Sequence, residues 1–118
     1  MAYVDGFLLA IPGARLGDYR RIARLAGTVW KEHGALAYVE CVADDLTAEG
    51  AVTFPKALKL KPGEVVVFSW IVHASKAARA RTNRKAMADP RLASLDPKTM
   101  PCDPRRMTWG GFRPIVEL

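Results

Sequence analysis

A chain of 118 residues, half of them apolar and a quarter charged, makes one folded domain and has too much hydrophobic content to stay disordered. It carries a formal charge of +6, no apolar run near the ~20 residues that span a bilayer, and only two cysteines, Cys41 and Cys102. These features argue against a membrane-spanning helix and a disulfide scaffold; Asp5, ahead of the short apolar run 7–11, argues against a signal peptide, so the expected setting is the reducing cytoplasm.

Residues 2–11 are strand-like, with Tyr3, Val4, Phe7, Leu8 and Leu9, and Pro12-Gly13 closes them with a turn. Tyr19, Ile22, Ala23, Ala26, Val29 and Trp30 then recur at helical steps, and Gly34 supplies a left-handed stop. Residues 36–43 form a second strand, followed by about twenty residues whose Thr53–Lys61 portion suits a short helical turn after Pro55. A connection of that length often makes a lid or a partner-binding loop. Residues 64–73, nearly all apolar, read as a central strand buried on both faces.

Ser75 is a natural N-cap for a second helix reaching Ala88, where Asp89-Pro90 breaks it. Its inner face is expected to be small, formed by Ala77, Ala78, Ala80, Met87 and Ala88, with Arg79, Arg81, Arg84 and Lys85 outside. A last strand over 105–116, interrupted by Gly110-Gly111 and ending near Pro114, belongs at a sheet edge or bulge, because proline lacks the donor a central strand gives.

The order β-α-β-β-α-β predicts an α+β, ferredoxin-like fold spanning 1–118: a four-stranded antiparallel sheet with two helices on one face. Alternate residues of the first two strands divide into a large set (Tyr3, Asp5, Phe7, Leu9 with Tyr38, Glu40, Val42) and a small apolar set (Val4, Gly6, Leu8 with Ala37, Val39, Cys41). The small set suits the underside of the helices. The large set would then face away from them, too apolar to be left in water, which predicts a homodimer closing two sheets into an α/β barrel with Asp5, Tyr38 and Glu40 inside.

The strings YVDGF at 3–7, YVECVADD at 38–45, VFSWIV at 67–72, MADPR at 87–91 and RMTWGGF at 106–112 resemble, in order and along the whole chain, the YbaA-like family of small bacterial proteins, a domain of unknown function among the dimeric α/β-barrel proteins. The resemblance implies a ferredoxin-like protomer that dimerises. It implies no particular chemistry, since the wider superfamily holds heme-degrading enzymes, cofactor-free oxygenases and isomerases.

Among candidate site residues, Asp5 and Glu40 are carboxylates that burial would turn into usable bases, with Tyr38 beside them; the structural alternative is pairing with Arg105, Arg106 or a cation of a partner chain. His73, at the end of the central strand, is a third catalytic candidate or else a capping residue. Trp70 and Trp109, with Tyr38, are candidates to line a ligand pocket, the alternative being core packing. No HxxxH or HxH spacing occurs, so no metal is expected, and the reading calls for no cofactor.

All of the net charge lies in residues 76–118, which invites an RNA-binding reading. The aromatic signature of RNA-recognition modules is absent, and Glu40, Asp44 and Asp45 would repel phosphate, so the sequence argues against nucleic acid. The leading expectation is a homodimer that binds a small apolar or aromatic metabolite and that, if an enzyme, transfers protons or oxidises without a cofactor. The alternative is a non-catalytic interaction module engaging a protein or RNA through loop 44–63 and basic helix 76–91.

Overall fold

The computed structural model describes all residues, Met1–Leu118. Four strands, β1 (Tyr3–Pro12), β2 (Ala37–Val42), β3 (Glu64–His73) and β4 (Thr108–Phe112), form one sheet in the order β2-β3-β1-β4, with every neighbouring pair antiparallel. β1 and β3 pair along their whole length, from Tyr3 opposite His73 to Pro12 opposite Glu64. Helices α1 (Leu16–Glu32) and α3 (Lys76–Ala88) lie on one face, giving the expected β-α-β-β-α-β order with a one-turn helix, α2 (Phe54–Ala57), in the long connection. No helix is long and apolar enough to cross a membrane.

Local chemistry sets the boundaries. Gly34 takes φ 124° just past α1, a conformation that other residues rarely adopt. Ser75 caps α3 by accepting a bond from the Ala78 amide at 3.0 Å. Asp89 ends α3 and caps a further turn, α4 (Pro90–Ala93). Asp96-Pro97 and Asp103-Pro104 repeat the device, each aspartate accepting from the amide two residues on. Residues 105–106 are thereby drawn into a turn, and β4 is shorter than the 105–116 expected; it does lie at a sheet edge.

The main core sits between the sheet and α1, where Leu9, Ile11 and Val67 pack on Tyr19 and Ala23. Its composition corrects the expected assignment of faces. Tyr3, Asp5, Phe7, Leu9, Tyr38 and Glu40, the large set, point toward the helices, and the small set lies on the open face. The proof is in the contacts: Asp5 is bonded by Arg79 of α3, and Glu40 by Tyr19 of α1. These acids found partners on the helices, so their side of the sheet is the covered one.

The open face carries Leu8, Phe68, Trp70 and Phe112, with Phe68 46% and Phe112 62% exposed. β3 is therefore central within the sheet but covered on one face only, apart from its start, where Val66 is buried. The inner face of α3 also differs from expectation. Thr82 and Ala86 are its buried residues, with Arg79 turned inward, whereas Ala77, Ala80, Met87 and Ala88 are exposed. A carboxylate buried on β1 needs a cation, and that need fixes the rotation of the helix.

Candidate functional site

The helix-side face holds two separate polar clusters. The first is built on Glu40, whose position on β2 puts it opposite Ser69 of β3 and beneath α1. Tyr19, three residues into α1, donates its hydroxyl to Glu40 Oε2 at 2.7 Å, and Tyr38, two residues earlier on the strand, donates to Oε1 at 3.0 Å. Residues i and i+2 of a strand share a face, which lets Tyr38 bend back onto the carboxylate. Gly27 makes room for it: a Cβ there would stand 2.6 Å from the Tyr38 ring.

Burial raises the Glu40 carboxyl above its ordinary 4.5, against the opposing pull of the hydroxyls of Tyr19, Tyr38 and Ser69. Burial, and then the charge of Glu40, pushes both phenols far above 10, so they remain neutral donors. The cluster forms the floor of a groove of about 820 Å3 between α1 and β2, whose rim carries Arg20, Arg24 and Lys31. That volume lies within the ~300–1,000 Å3 of small-molecule sites, and half of the lining is hydrophobic. A cavity of about 320 Å3 on the open face, under Leu46 and Phe54, is lined by apolar side chains alone.

The second cluster joins Asp5, His73 and Arg79. Arg79 grips Asp5 with two nitrogens, Nη2 to Oδ1 at 2.7 Å and Nε to both oxygens at 3.1 Å, and stacks over the Tyr3 ring. Asp5 is only 2% exposed and His73 is fully buried. His73 Nε2 lies 3.3 Å from Asp5 Oδ2 without hydrogen-bond alignment, and neither of its ring nitrogens has a hydrogen-bond partner. Burial lowers the imidazole pKa, which Asp5 only partly offsets. No groove opens onto this cluster comparable to that above Glu40.

Of the six residues singled out in the sequence, Glu40 and Tyr38 therefore meet, and Asp5 meets His73, but the two pairs are apart and neither lies in an intersheet space. The pairing foreseen for the acids is also reassigned: Asp5 binds Arg79, while Arg106 binds Glu64 and Arg105 binds Asp103. Trp70 is on the open face beside Phe68, with ring centroids 5.6 Å apart. Trp109, the register partner of Phe7 on the helix side, stacks on Phe7 at 6.2 Å and is 58% exposed. Neither tryptophan lines the Glu40 groove. Sequence reasoning missed Tyr19, which reads as one more apolar residue of the helical stripe; only tertiary packing brings its hydroxyl to Glu40.

Fold and site together define a ferredoxin-like α+β protein with a groove under its first helix. A NIPSNAP family protein from Agrobacterium tumefaciens superposes with a TM-score of 0.58 at 16% identity, over 97% of this chain and 93% of its own. An uncharacterized NIPSNAP domain protein from Burkholderia xenovorans gives 0.56 at 13%, over 97% and 95%. At such identities the likeness is one of fold. The chain itself belongs to the DUF1428 family of proteins of unknown function, whose model matches residues 2–104. It is 43% identical over 117 residues, 99% of either chain, to the uncharacterized protein YbaA of Escherichia coli K12, as well as to that of Shigella flexneri.

Proposed function

We propose that this protein is a homodimer that binds a small apolar or aromatic metabolite in the groove between α1 and β2, with Glu40 exchanging a proton with the bound molecule. One observation carries the reading: a carboxyl whose two oxygens are held by phenols from two different elements forms the floor of a groove of about 820 Å3. A carboxyl that burial raises above its ordinary value is a stronger base than a free one and, once protonated, can return the proton as an acid. Tyr19 and Tyr38 fix its orientation, and Tyr38 also walls the groove. The chemistry needs no cofactor. Asp5 takes the supporting part, anchoring α3 through Arg79, with His73 buried beside it.

The homodimer forms through the open face, where Phe68, Trp70 and Phe112 make a patch that water favours covering. Packing two such faces buries on the order of 1,000 Å2 or more, enough for a stable association. Trp70 belongs to this seam, and the groove stays accessible on the opposite side of each sheet.

A thermal-shift screen of apolar and aromatic metabolites tests the binding: a ligand at about 100 times its Kd stabilises by roughly 2.7 kcal/mol. A hit is expected to bind Glu40→Gln as well, while any proton exchange at the ligand's acidic carbon is lost in that variant. A screen without hits, or exchange undiminished in Glu40→Gln, contradicts the reading. Sedimentation at micromolar concentration should show dimers that Phe68→Glu dissociates; a wild-type chain found only as single protomers removes the dimer.

A further inference from the structure

We propose that the groove selects anions: its ligand carries a carboxylate that pairs with Arg20 and Arg24, while the apolar or aromatic body lies against Tyr19 and Tyr38. This inference rests on the reading of the groove as a ligand site and adds the charge of the molecule it takes.

The argument comes from which cations on α1 are already satisfied. Arg15 and Arg21 both pair with Asp18. Arg20 and Arg24 are one helical turn apart, both exposed and both lining the groove, yet neither has a carboxylate partner. Two guanidinium groups four residues apart on a helix repel one another, so this edge of the groove is electrostatically unrelieved as it stands. Lys31 adds a third positive charge, held at the rim by donating to the Leu36 carbonyl at 2.8 Å.

The acids that line the groove do not cancel these charges. Glu32 is committed to Arg91 at 2.6 Å. Glu40 lies on the floor, accepting hydrogen bonds from two neutral phenols, and is one acid against the three rim cations Arg20, Arg24 and Lys31. The rim thus presents a net positive field above a half-apolar surface, and the planar guanidinium fork matches a carboxylate with two parallel hydrogen bonds. A neutral aromatic would use the floor and leave the rim unpaired.

Isothermal titration with naphthoate and with its neutral, near-isosteric analogue naphthamide separates the possibilities. Naphthoate is expected to bind at least about tenfold more tightly, as a charge-assisted pair gives. That preference should shrink in high salt and vanish in an Arg20→Gln/Arg24→Gln variant, whose fold is unthreatened because both side chains are in solvent. Equal binding of the two probes, or a preference that survives the double substitution, overturns the selection of anions and leaves the groove as a site for neutral ligands. If neither probe binds and the metabolite screen also finds nothing, the groove reading fails and this inference with it.

Discussion

Gly27 on α1 and Tyr38 on β2 are in such close contact that the helix backbone, not a side chain, forms the wall against which the phenol rests. A Cβ at position 27 would meet the ring near its root, where the side chain has least freedom to move. Gly27→Ala gains helix propensity, up to about 1 kcal/mol, but overpacking costs about 1–3 kcal/mol. The variant is expected to be less stable in urea denaturation and to lose the Tyr38 bond to Glu40. A stability gain would show that the helix can move away freely.

Glu40 makes stability depend on pH in a definite direction. Its folded-state pKa lies above 4.5, so the folded protein holds the proton more tightly than the unfolded chain does. The contribution is complete below pH 4.5 and is lost as pH rises through the folded-state pKa. Glu40→Gln has no proton to lose and is expected to gain stability relative to wild type as pH rises above 4.5. Parallel stability curves for the two proteins across that range would contradict this.

The Asp5–Arg79 pair anchors α3, and removing one partner strands the other. Asp5→Asn should cost about 3 kcal/mol in chemical denaturation, with a smaller additional loss when Arg79→Met is combined with it, since the pair acts as one unit. Additive losses would mean that the two residues do not depend on each other.

His73 supplies the acid-side counterpart. Burial depresses its folded-state pKa below 6.5, so the unfolded chain takes up this proton first as pH falls. Stability is therefore lost from about pH 6.5 downward, until the folded-state pKa is passed. His73→Gln should flatten that part of the curve, as followed by thermal melts from pH 7 to 5; an unchanged slope would assign the loss to other groups.

Glu64 and Arg106 tie the start of β3 to the turn that precedes β4. The guanidinium of Arg106, with the Lys61 amide, lowers the Glu64 pKa to about 2. Their bond contributes stability above pH 4.5 that is lost as pH falls toward 2. Arg106→Ala is expected to lower stability at pH 7 and to have much less effect near pH 2, as read from urea denaturation at the two pH values; an equal loss at both would contradict the pairing.

The strands and helices were legible because their signals are local. The apolar run 64–73, the Pro12-Gly13 turn and the Ser75 cap each act within a few residues, and each stands where its chemistry places it. The orientation of the sheet was not legible. Alternation sorts residues into two faces without saying which one the helices cover, and nothing near Asp5 in the sequence points to Arg79, 74 positions away, which reaches it from α3. The same long-range partner turned α3 away from its alanine stripe. At the groove, Glu40 and Tyr38 were visible as a strand pair, whereas Tyr19 and Gly27 act through a contact that exists only after α1 docks.

The most direct test of the groove as the binding site is amide chemical-shift mapping during titration with naphthoate. The account predicts perturbations concentrated at residues 20–28 of α1 and 38–42 of β2, on either side of Glu40. Perturbations confined to Leu8, Phe68, Trp70 and Phe112 on the open face would place the ligand on the wrong side of the sheet and contradict it.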